Sequence, residues 1–204
     1  GACVNVHDAG IAGCCTKDVT SEGFEKDAVG WALDPAVNGV SWAPWAPADT
    51  SYTTGGKKVL KMGLTGDAKL AKLTTSYTDV FATSTPFVVP AGVASDLDFQ
   101  YRFDLTKSAA HRLYAYIQLD NGQNISIGAK TFTLDGWQKW SYDLSGFGGR
   151  TVRLRLRGRI YGPAAVGYGI LVDDIAATSL CKSKTCAATS ECTTALACYA
   201  GACT

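Results

Sequence analysis

The sequence predicts an all-β protein, an antiparallel sandwich of two sheets whose terminal segments are held by disulfides. From residue 151 to 160, apolar residues alternate with arginines in the run TVRLRLRGRI, the period of a strand with one buried and one solvated face. Roughly eight to ten such short segments, separated by turn residues, follow one another without a convincing helical period. The cysteines lie only near the two ends of the chain, so a core must form between them.

Three segments follow from this pattern. Residues 1–18 are short, small and cysteine-bearing, and are predicted to be an N-terminal strap. Residues 19–180 form the predicted sandwich, and residues 181–204 form a cysteine-rich tail of Cys, Ala, Thr and Ser that depends on disulfides because it cannot form a core alone.

Within the sandwich segment, residues 34–56 are rich in Pro, Asn, Gly, Ser and Thr and are predicted to be a loop. Strands are expected at 57–64 and at 77–89, where Pro86 ends or bulges the strand. Residues 97–105 alternate most cleanly, with apolar side chains at every second position.

The later strands include a hairpin at 113–128 whose Asn121-Gly122 turn suits the positive φ values of a type I′ turn. Further strands are expected at 137–144 and 151–160. The last strand, ILVDDI, is predicted to lie near the core and to end on Asp173 and Asp174.

The eight cysteines predict an oxidising, extracellular or cell-surface location. They are Cys3, Cys14, Cys15, Cys181, Cys186, Cys192, Cys198 and Cys203. Three lie at one end and five at the other, so if all pair within the chain, at least one bridge joins the two ends. The chain opens directly at Gly1-Ala2-Cys3, which is consistent with a processed form.

The overall charge and hydropathy exclude two classes of partner. A formal net charge of +1 does not favour nucleic acid, and no apolar run approaches the ~20 residues that a membrane-spanning helix needs. Catalytic signatures are also missing, since there is no Gly-x-Ser-x-Gly or His-Glu-x-x-His run. We therefore expect a non-catalytic protein, and we interpret His111 as a loop histidine rather than a base.

Two groups of side chains are candidates for ligand contact. Trp42, Trp45 and Tyr52 lie among prolines, and exposed aromatic rings on a rigid loop can stack on sugars; alternatively, a tryptophan folds back as a plug over the sandwich. Arg153, Arg155, Arg157 and Arg159 are either a track for an acidic polysaccharide or the solvated face of a strand, and the second interpretation is favoured.

The runs GFEKDAVGW (23–31), WQKWSYDLSGFGGRTVRLRLR (137–157) and GILVDDI (169–175) resemble bacterial jelly-roll modules, the MAM-like and carbohydrate-binding sandwiches of secreted enzymes and adhesins. The resemblance covers residues 20 to 180 and implies a jelly roll in which the first and last strands pair. The tail is similar to short tails on secreted proteins of soil bacteria.

This resemblance also implies a structural calcium ion. Glu25, Asp173 and Asp174 would supply carboxylate oxygens, and backbone carbonyls near Lys57 and Lys58 would complete the set of hard oxygen ligands. The alternative is that these carboxylates are ordinary strand-end residues paired with Lys or Arg.

The sequence thus predicts a secreted, lectin-like jelly-roll module that binds a polysaccharide or cell-surface glycan through Trp42, Trp45 and Tyr52. Such a module is compatible with an accessory role in a secreted enzyme. The rival hypothesis is a structural subunit that self-associates into an extracellular fibre or surface layer, held by its cysteine-bearing ends or by strand addition at an exposed edge.

Overall fold

The computed structural model describes residues 16–132, 135–180, 198–199 and 202–203, and almost all of its regular structure is β-strand. Six strands form the first sheet: β1 (Thr16–Glu22), β3 (Ser41–Trp45), β4 (Val59–Gly63), β8 (Ser95–Asp104), β11 (Gln138–Asp143) and β14 (Gly169–Leu180). Six form the second: β2 (Ala32–Leu33), β6 (Tyr77–Thr83), β7 (Phe87–Val88), β9 (Arg112–Leu119), β10 (Asn124–Thr131) and β12 (Thr151–Tyr161).

Minor elements complete the description. A two-stranded ladder pairs β5 (Leu70–Ala71) with β13 (Val166–Gly167), and another pairs β15 (Cys198–Tyr199) with β16 (Ala202–Cys203). Short 3₁₀ helices lie at Thr50–Tyr52, Ser145–Phe147 and Gly162–Ala164. Among the described residues, no helix has the length and hydrophobicity to span a membrane.

The strand order is β11-β8-β14-β4-β3 in the first sheet and β10-β9-β12-β6-β2 in the second. In addition, β1 pairs with β14 beyond β4, and β7 pairs with β12 beyond β6. All pairings between these strands are antiparallel. The predicted antiparallel two-sheet sandwich is therefore confirmed.

The core lies between the two sheets and follows from the alternation seen in the sequence. In β12, Val152, Leu154, Leu156 and Ile160 are each 0% exposed, whereas the arginines between them are partly exposed. Gly158 occupies the remaining inward position because Trp42 and Met62 of the first sheet fill that space. A Cβ at Gly158 would overlap the Met62 sulfur and lie 3.1 Å from Trp42 Cζ2.

The two ends of the sandwich segment lie side by side. Strand β1 runs antiparallel to the end of β14, with Thr16 opposite Leu180 and Glu22 opposite Ile175. This pairing is the one that the resemblance to jelly-roll modules implies. The predicted disulfides lie outside the residues whose side chains the structure describes. Strand β1 begins at Thr16, three residues inside the segment predicted to be a strap.

Three local predictions are corrected, two on strands of the first sheet and one at a hairpin turn. The predicted loop 34–56 contains β3, which is the edge strand of the first sheet, where Pro44 is tolerated because its missing N–H need not join the ladder. Strand β14 does not end at Asp173-Asp174 but continues to Leu180 after a bulge between Asp173 and Ala176. Asp174 has a φ of 47° at this bulge.

The hairpin between β9 and β10 also has a different turn from the one predicted. Of the two turn residues, only Gly122 has a positive φ, 82°, whereas a type I′ turn requires positive φ at both. The N–H of Leu119 donates to the carbonyl of Gln123 at 2.9 Å, which encloses a three-residue loop. Such loops commonly combine a type I turn with a residue in the left-handed region, here Gly122.

Candidate functional site

Trp42 lies in the core rather than on a ligand-binding loop. Its side chain is 2% exposed, and the indole Nε1–H donates to the backbone carbonyl of Val80 in the second sheet at 2.9 Å. The tryptophan therefore ties β3 to β6 across the sandwich. This burial corrects the expectation that Trp42 presents a ring face to a ligand, and it agrees with the alternative of a tryptophan folded back into the body.

Trp45 lies on the opposite face of β3 because side chains alternate along a strand, and it belongs to an aromatic cluster on the outer face of the first sheet. The cluster consists of Trp45, Tyr52, Trp137 and Tyr168. Trp45 is only 5% exposed, with ring centroids 4.7 Å from Tyr168 and 5.7 Å from Tyr52. Trp45 is therefore also corrected from a ligand contact to a packing residue, whereas Tyr52, Trp137 and Tyr168 remain partly exposed.

Cations cover the faces of the rings in this cluster. The Arg102 guanidinium lies 4.4 Å from the centroid of Tyr52, and the Lys61 ammonium lies 4.5 Å from that of Trp45. Lys61 is 2% exposed, and its Nζ donates to the carbonyl of Gly66. Burial lowers the pKa of Lys61. The aromatic cluster is thus a small second core that holds the loop around Tyr52 on the sheet, and part of each outer ring stays accessible.

The acidic residues predicted to bind calcium all contact the loop 54–58. Glu25 Oε1 accepts hydrogen bonds from the backbone N–H groups of Lys57 at 2.7 Å and Lys58 at 3.0 Å, and these bonds lower the pKa of Glu25. Gly56 leaves room for it, because a Cβ there would overlap the Glu25 carboxylate and displace it. The Lys58 ammonium pairs with Asp27 at 2.7 Å.

Asp173 and Asp174 reach the same loop from the bulge in β14. The Asp173 carboxylate accepts from the N–H of Thr54 at 3.0 Å and lies 2.8 Å from the Thr54 hydroxyl, which is also in contact with Asp174. Asp173 is 1% exposed, and this burial raises its pKa in spite of the hydrogen bonds from Thr54. Because one hydroxyl has one proton, Thr54 cannot donate to both carboxylates at once.

These carboxylates fit a metal ion only in part. In the described part of the chain, no three His, Cys, Asp or Glu side chains lie close enough together to hold one. Asp173, Asp174 and the Thr54 hydroxyl do form a group of hard oxygens in which two carboxylates face a single hydroxyl proton. A hard cation such as Ca²⁺ prefers oxygen ligands of this kind. Glu25 is directed instead at backbone N–H groups.

A second candidate surface is the outer face of the second sheet, which we call the arginine face. Its rows follow from the strand register, because directly paired residues point to the same side of a sheet. Arg153 is opposite Gln118, Arg155 lies between Tyr116 and Thr83, and Arg157 lies between Tyr114 and Phe81. Arg159 lies between Arg112 and Asp79, and Tyr161 is opposite Tyr77.

Every one of these side chains is partly or fully exposed, whereas the residues between them are almost all buried. The outer face of the first sheet differs, since Val59 and Leu171 there are 0% exposed under the loop and the aromatic cluster. The arginine face is therefore the more accessible of the two outer faces.

At one end of the arginine face the charges are already paired. Asp79 accepts hydrogen bonds from Nε of Arg157 at 2.8 Å and from Nε of Arg159 at 2.9 Å. Burial opposes ionisation of Asp79, but the bonds from the two guanidinium groups outweigh it and lower the pKa of this carboxyl. This end of the stripe thus matches the interpretation of cross-paired strand residues.

His111 is not a surface base. It is 0% exposed, and its Nδ1 accepts the backbone N–H of Tyr161 at 3.1 Å. Burial lowers the pKa of this imidazole, which favours its neutral form. His111 follows a turn and precedes β9, so the interpretation of a loop histidine is confirmed, although this loop residue is fully buried.

Several residues of both surfaces were not predicted from the sequence. Tyr168, Arg102 and Trp137 are far from Tyr52 in sequence, and only the strand pairing brings them together. Tyr114, Tyr116 and Phe81 occupy alternate positions on their strands, a signal that was readable, but their position beside the arginines requires the register.

Comparison with known proteins supports the fold. No protein-family model and no curated protein sequence matches the chain. Among solved structures, the K1 cleaved adhesin domain of Lys-gingipain from Porphyromonas gingivalis W83 is similar with a TM-score of 0.58 and 14% identity, over 80% of this chain and 97% of that one. The K3 cleaved adhesin domain of the same protein has a TM-score of 0.57 and 13% identity, over 80% and 100%.

A third similar structure is TmCBM61, solved in complex with beta-1,4-galactotriose. It has a TM-score of 0.55 and 13% identity, over 76% of this chain and 92% of that chain. At such identities the likeness establishes a shared β-sandwich architecture.

Proposed function

We propose that this protein is a secreted, non-catalytic module that binds carbohydrate on the arginine face. The observation that carries the proposal is the accessibility of this face together with its chemistry. It presents planar hydrogen-bonding groups in adjacent rows, Gln118 beside Arg153 and Tyr116 beside Arg155. The sandwich shared with an adhesin domain and with a module solved in complex with a galactotriose supports the same function by analogy.

The geometry suits an extended chain of sugars. Outward side chains recur every ~6.7 Å along a strand, so the stripe from Arg153 to Arg159 is about 20 Å long. Neighbouring strands are ~4.8 Å apart, which places a second and third row within reach of the same ligand. Hydroxyl, amide and guanidinium groups together offer both donors and acceptors to sugar hydroxyls.

A polysaccharide panel tests the function. The purified protein is applied to immobilised neutral and acidic polysaccharides and to a glycan array, together with Tyr116→Ala on the arginine face and Val29→Ala as an exposed control. We expect retention on at least one polysaccharide and loss of retention for Tyr116→Ala alone. Failure to bind any saccharide, or equal binding by both variants, would contradict the proposal.

The aromatic cluster is a second candidate contact surface, favoured by the partial exposure of Tyr52, Trp137 and Tyr168. Of the residues predicted from the sequence, Tyr52 is the one whose ring remains available, with Trp45 as its support at 5.7 Å. Tyr52→Ala in the same panel separates the surfaces. A loss of binding equal to that of Tyr116→Ala would assign ligand contacts to both.

We also propose that a calcium ion braces the bulge of β14 against the loop 54–58. The group that favours it is Asp173, Asp174 and Thr54, while Glu25 holds the N–H groups of Lys57 and Lys58 and so fixes the loop. Calcium would supply the positive charge that these oxygens lack. Thermal melts with calcium and with chelator test this, and a ligand at 100 times its Kd adds about 2.7 kcal/mol. An unchanged Tm, or an equal shift in Asp174→Asn, would count against the ion.

Self-association into an extracellular fibre or surface layer remains the rival proposal. Apart from the short ladder of β15 and β16, the cysteine-bearing ends that would join neighbouring copies lie outside the described residues. Non-reducing gels and negative-stain microscopy of the full chain separate the two functions. Ladders or filaments that disappear on reduction would favour the structural subunit, and a monodisperse monomer would favour the binding module.

A further inference from the structure

The arginine face concentrates positive charge in a chain that is otherwise slightly acidic. Its described residues include five arginines, Arg112, Arg153, Arg155, Arg157 and Arg159, and one carboxylate, Asp79, which sum to +4. The formal net charge of the whole chain is +1, so the rest of the chain sums to −3, since +1 minus +4 is −3. Charge segregated in this way attracts an anionic partner to one face.

The unpaired charge lies at the Arg153–Arg155 end. Asp79 serves Arg157 and Arg159, and no carboxylate among the described residues pairs with Arg153 or Arg155. Among the residues that the structure describes, Arg153 donates only to the backbone carbonyl of Ser84, at 3.2 Å. The Nε of Arg155 is buried and has no hydrogen-bond partner in the described residues, which is rare enough to need an explanation.

The Arg155 side chain is nevertheless held in place. Its guanidinium lies 4.3 Å from the ring centroid of Phe81, a cation–π contact that fixes the plane of the group beside Tyr116 and Thr83. The buried Nε is not available to a ligand, but Arg155 as a whole is partly exposed, and its guanidinium has no acceptor among the described residues. The terminal N–H groups of a guanidinium whose plane is fixed are pre-organised to bind a planar anion through two parallel hydrogen bonds.

We propose that the Arg153–Arg155 end of the arginine face binds the carboxylates of an acidic polysaccharide, a chain that contains uronic acids. This inference rests on the proposed function and names its ligand class. Arg155 pairs with a carboxylate, Arg153 provides the second positive charge about 6.7 Å further along the strand, and Gln118 and Tyr116 bind the sugar hydroxyls between them.

The same face is a poor match to single-stranded nucleic acid, the other long polyanion. Such chains stack their bases on open aromatic rings. Here two of the tyrosine rings already carry a guanidinium group, with Arg157 5.1 Å from the centroid of Tyr114 and Arg159 5.2 Å from that of Tyr77. What these rows offer outward is charge and hydroxyl groups, which suits a hydroxylated, carboxylated ligand.

The test measures the affinity of the full chain for three uronic acid polymers, polygalacturonate, alginate and hyaluronan, by calorimetry and affinity electrophoresis. Each polymer is compared with its methyl-esterified form, which keeps the sugar backbone and removes the charge. We expect at least one polymer to bind, its ester to bind at least 10-fold more weakly, and the affinity to fall with added salt.

Variants assign the site. Arg155→Ala and Arg153→Ala are each expected to weaken binding of the acidic polymer by about 10-fold, as for loss of a hydrogen bond between charged groups. Arg155→Lys keeps the charge but not the planar fork, so it should recover only part of the affinity. Lys139→Ala on the first sheet removes the same charge from a 57% exposed side chain and should have no effect. Circular dichroism confirms that each variant is folded.

The outcomes distinguish a failure of this inference from a failure of the proposed carbohydrate binding. If the protein binds neutral polysaccharides and the two arginine variants bind them equally well, the proposed function stands and the acidic ligand is wrong. If esterified polymers, heparin or single-stranded DNA bind as tightly as the uronic acid polymers, the carboxylate specificity is wrong. If no polysaccharide binds at all, both proposals fail.

Discussion

Replacement of Trp42 is the perturbation that best separates a ligand-binding tryptophan from a core tryptophan. Burial of an aromatic side chain of this size removes about 200 Å² from water, which corresponds to about 5 kcal/mol at ~25 cal/mol per Å². Truncation of large aromatic residues in protein cores costs about 3–5 kcal/mol. Because Trp42 is 2% exposed and packs against Met62 and Gly158, we expect Trp42→Ala to fall in this range.

Trp42→Phe isolates a part of that loss. It keeps a ring in the core but removes some of the volume and the Nε1–H that bonds to Val80, so we expect a destabilisation of about 2 kcal/mol. Equilibrium unfolding in urea measures both variants, and four tryptophans remain as fluorescent reporters of the five in the chain. Each kcal/mol lowers the Tm by about 2–4 °C in a chain of this size.

The control is Val29→Ala, since Val29 is 72% exposed and its truncation should change the free energy of unfolding by no more than about 0.5 kcal/mol. The reasoning is refuted if Trp42→Ala unfolds within about 1 kcal/mol of the natural protein and loses polysaccharide binding. That result would place the indole at a ligand and not between the sheets.

Three further predictions concern a core glycine, a buried histidine and the disulfides. Gly158→Ala is expected to destabilise the protein by about 1–3 kcal/mol in urea, because its Cβ would displace Met62, whereas Gly146→Ala, with open space around it, should be close to neutral. Because burial lowers the pKa of His111, the unfolded chain binds a proton at higher pH than the folded one; stability should fall as the pH drops below about 6.5, and His111→Gln should flatten this slope. A disulfide map by mass spectrometry should contain a bridge between the two ends, with Cys15 and Cys181 the first candidates because they are the sequence neighbours of the Thr16–Leu180 pair; a map with only within-end bridges would refute this.

The strands were predictable wherever one face is buried and the other is solvated. Strands β8 and β12 alternate without interruption, so their inward and outward residues were assigned correctly from the sequence. Strand β3 was missed because its two tryptophans are three residues apart and bury on opposite faces, one in the main core and one beneath the loop. A segment buried on both sides has no period of two, and Pro44 added a false loop signal.

The candidate surfaces were only half predictable for a related reason. The arginine stripe was visible as a local pattern, but its chemistry depends on the residues opposite it. Asp79 neutralises one end and no described carboxylate neutralises the other, and the sequence does not contain the register that decides this. The same limit applies to the acidic residues, since Thr54 is 119 positions from Asp173 and becomes its partner only through the fold.

The two outer faces of the sandwich are unequal, and this inequality is the physical basis for assigning the ligand to the second sheet. On the first sheet, Glu25 and Asp173 pin the loop 54–58, and Trp45 and Tyr52 pack on the face beside it, so apolar residues there leave water entirely. Burial of that kind stabilises the fold but leaves few groups for a partner. On the second sheet the outward side chains are large, polar and charged. The arginines repel one another, and among the described residues a carboxylate, Asp79, offsets this repulsion only at Arg157 and Arg159. An anion at Arg155 would relieve the remainder, so binding of a carboxylate there should also raise the Tm, an effect that Arg155→Ala should abolish.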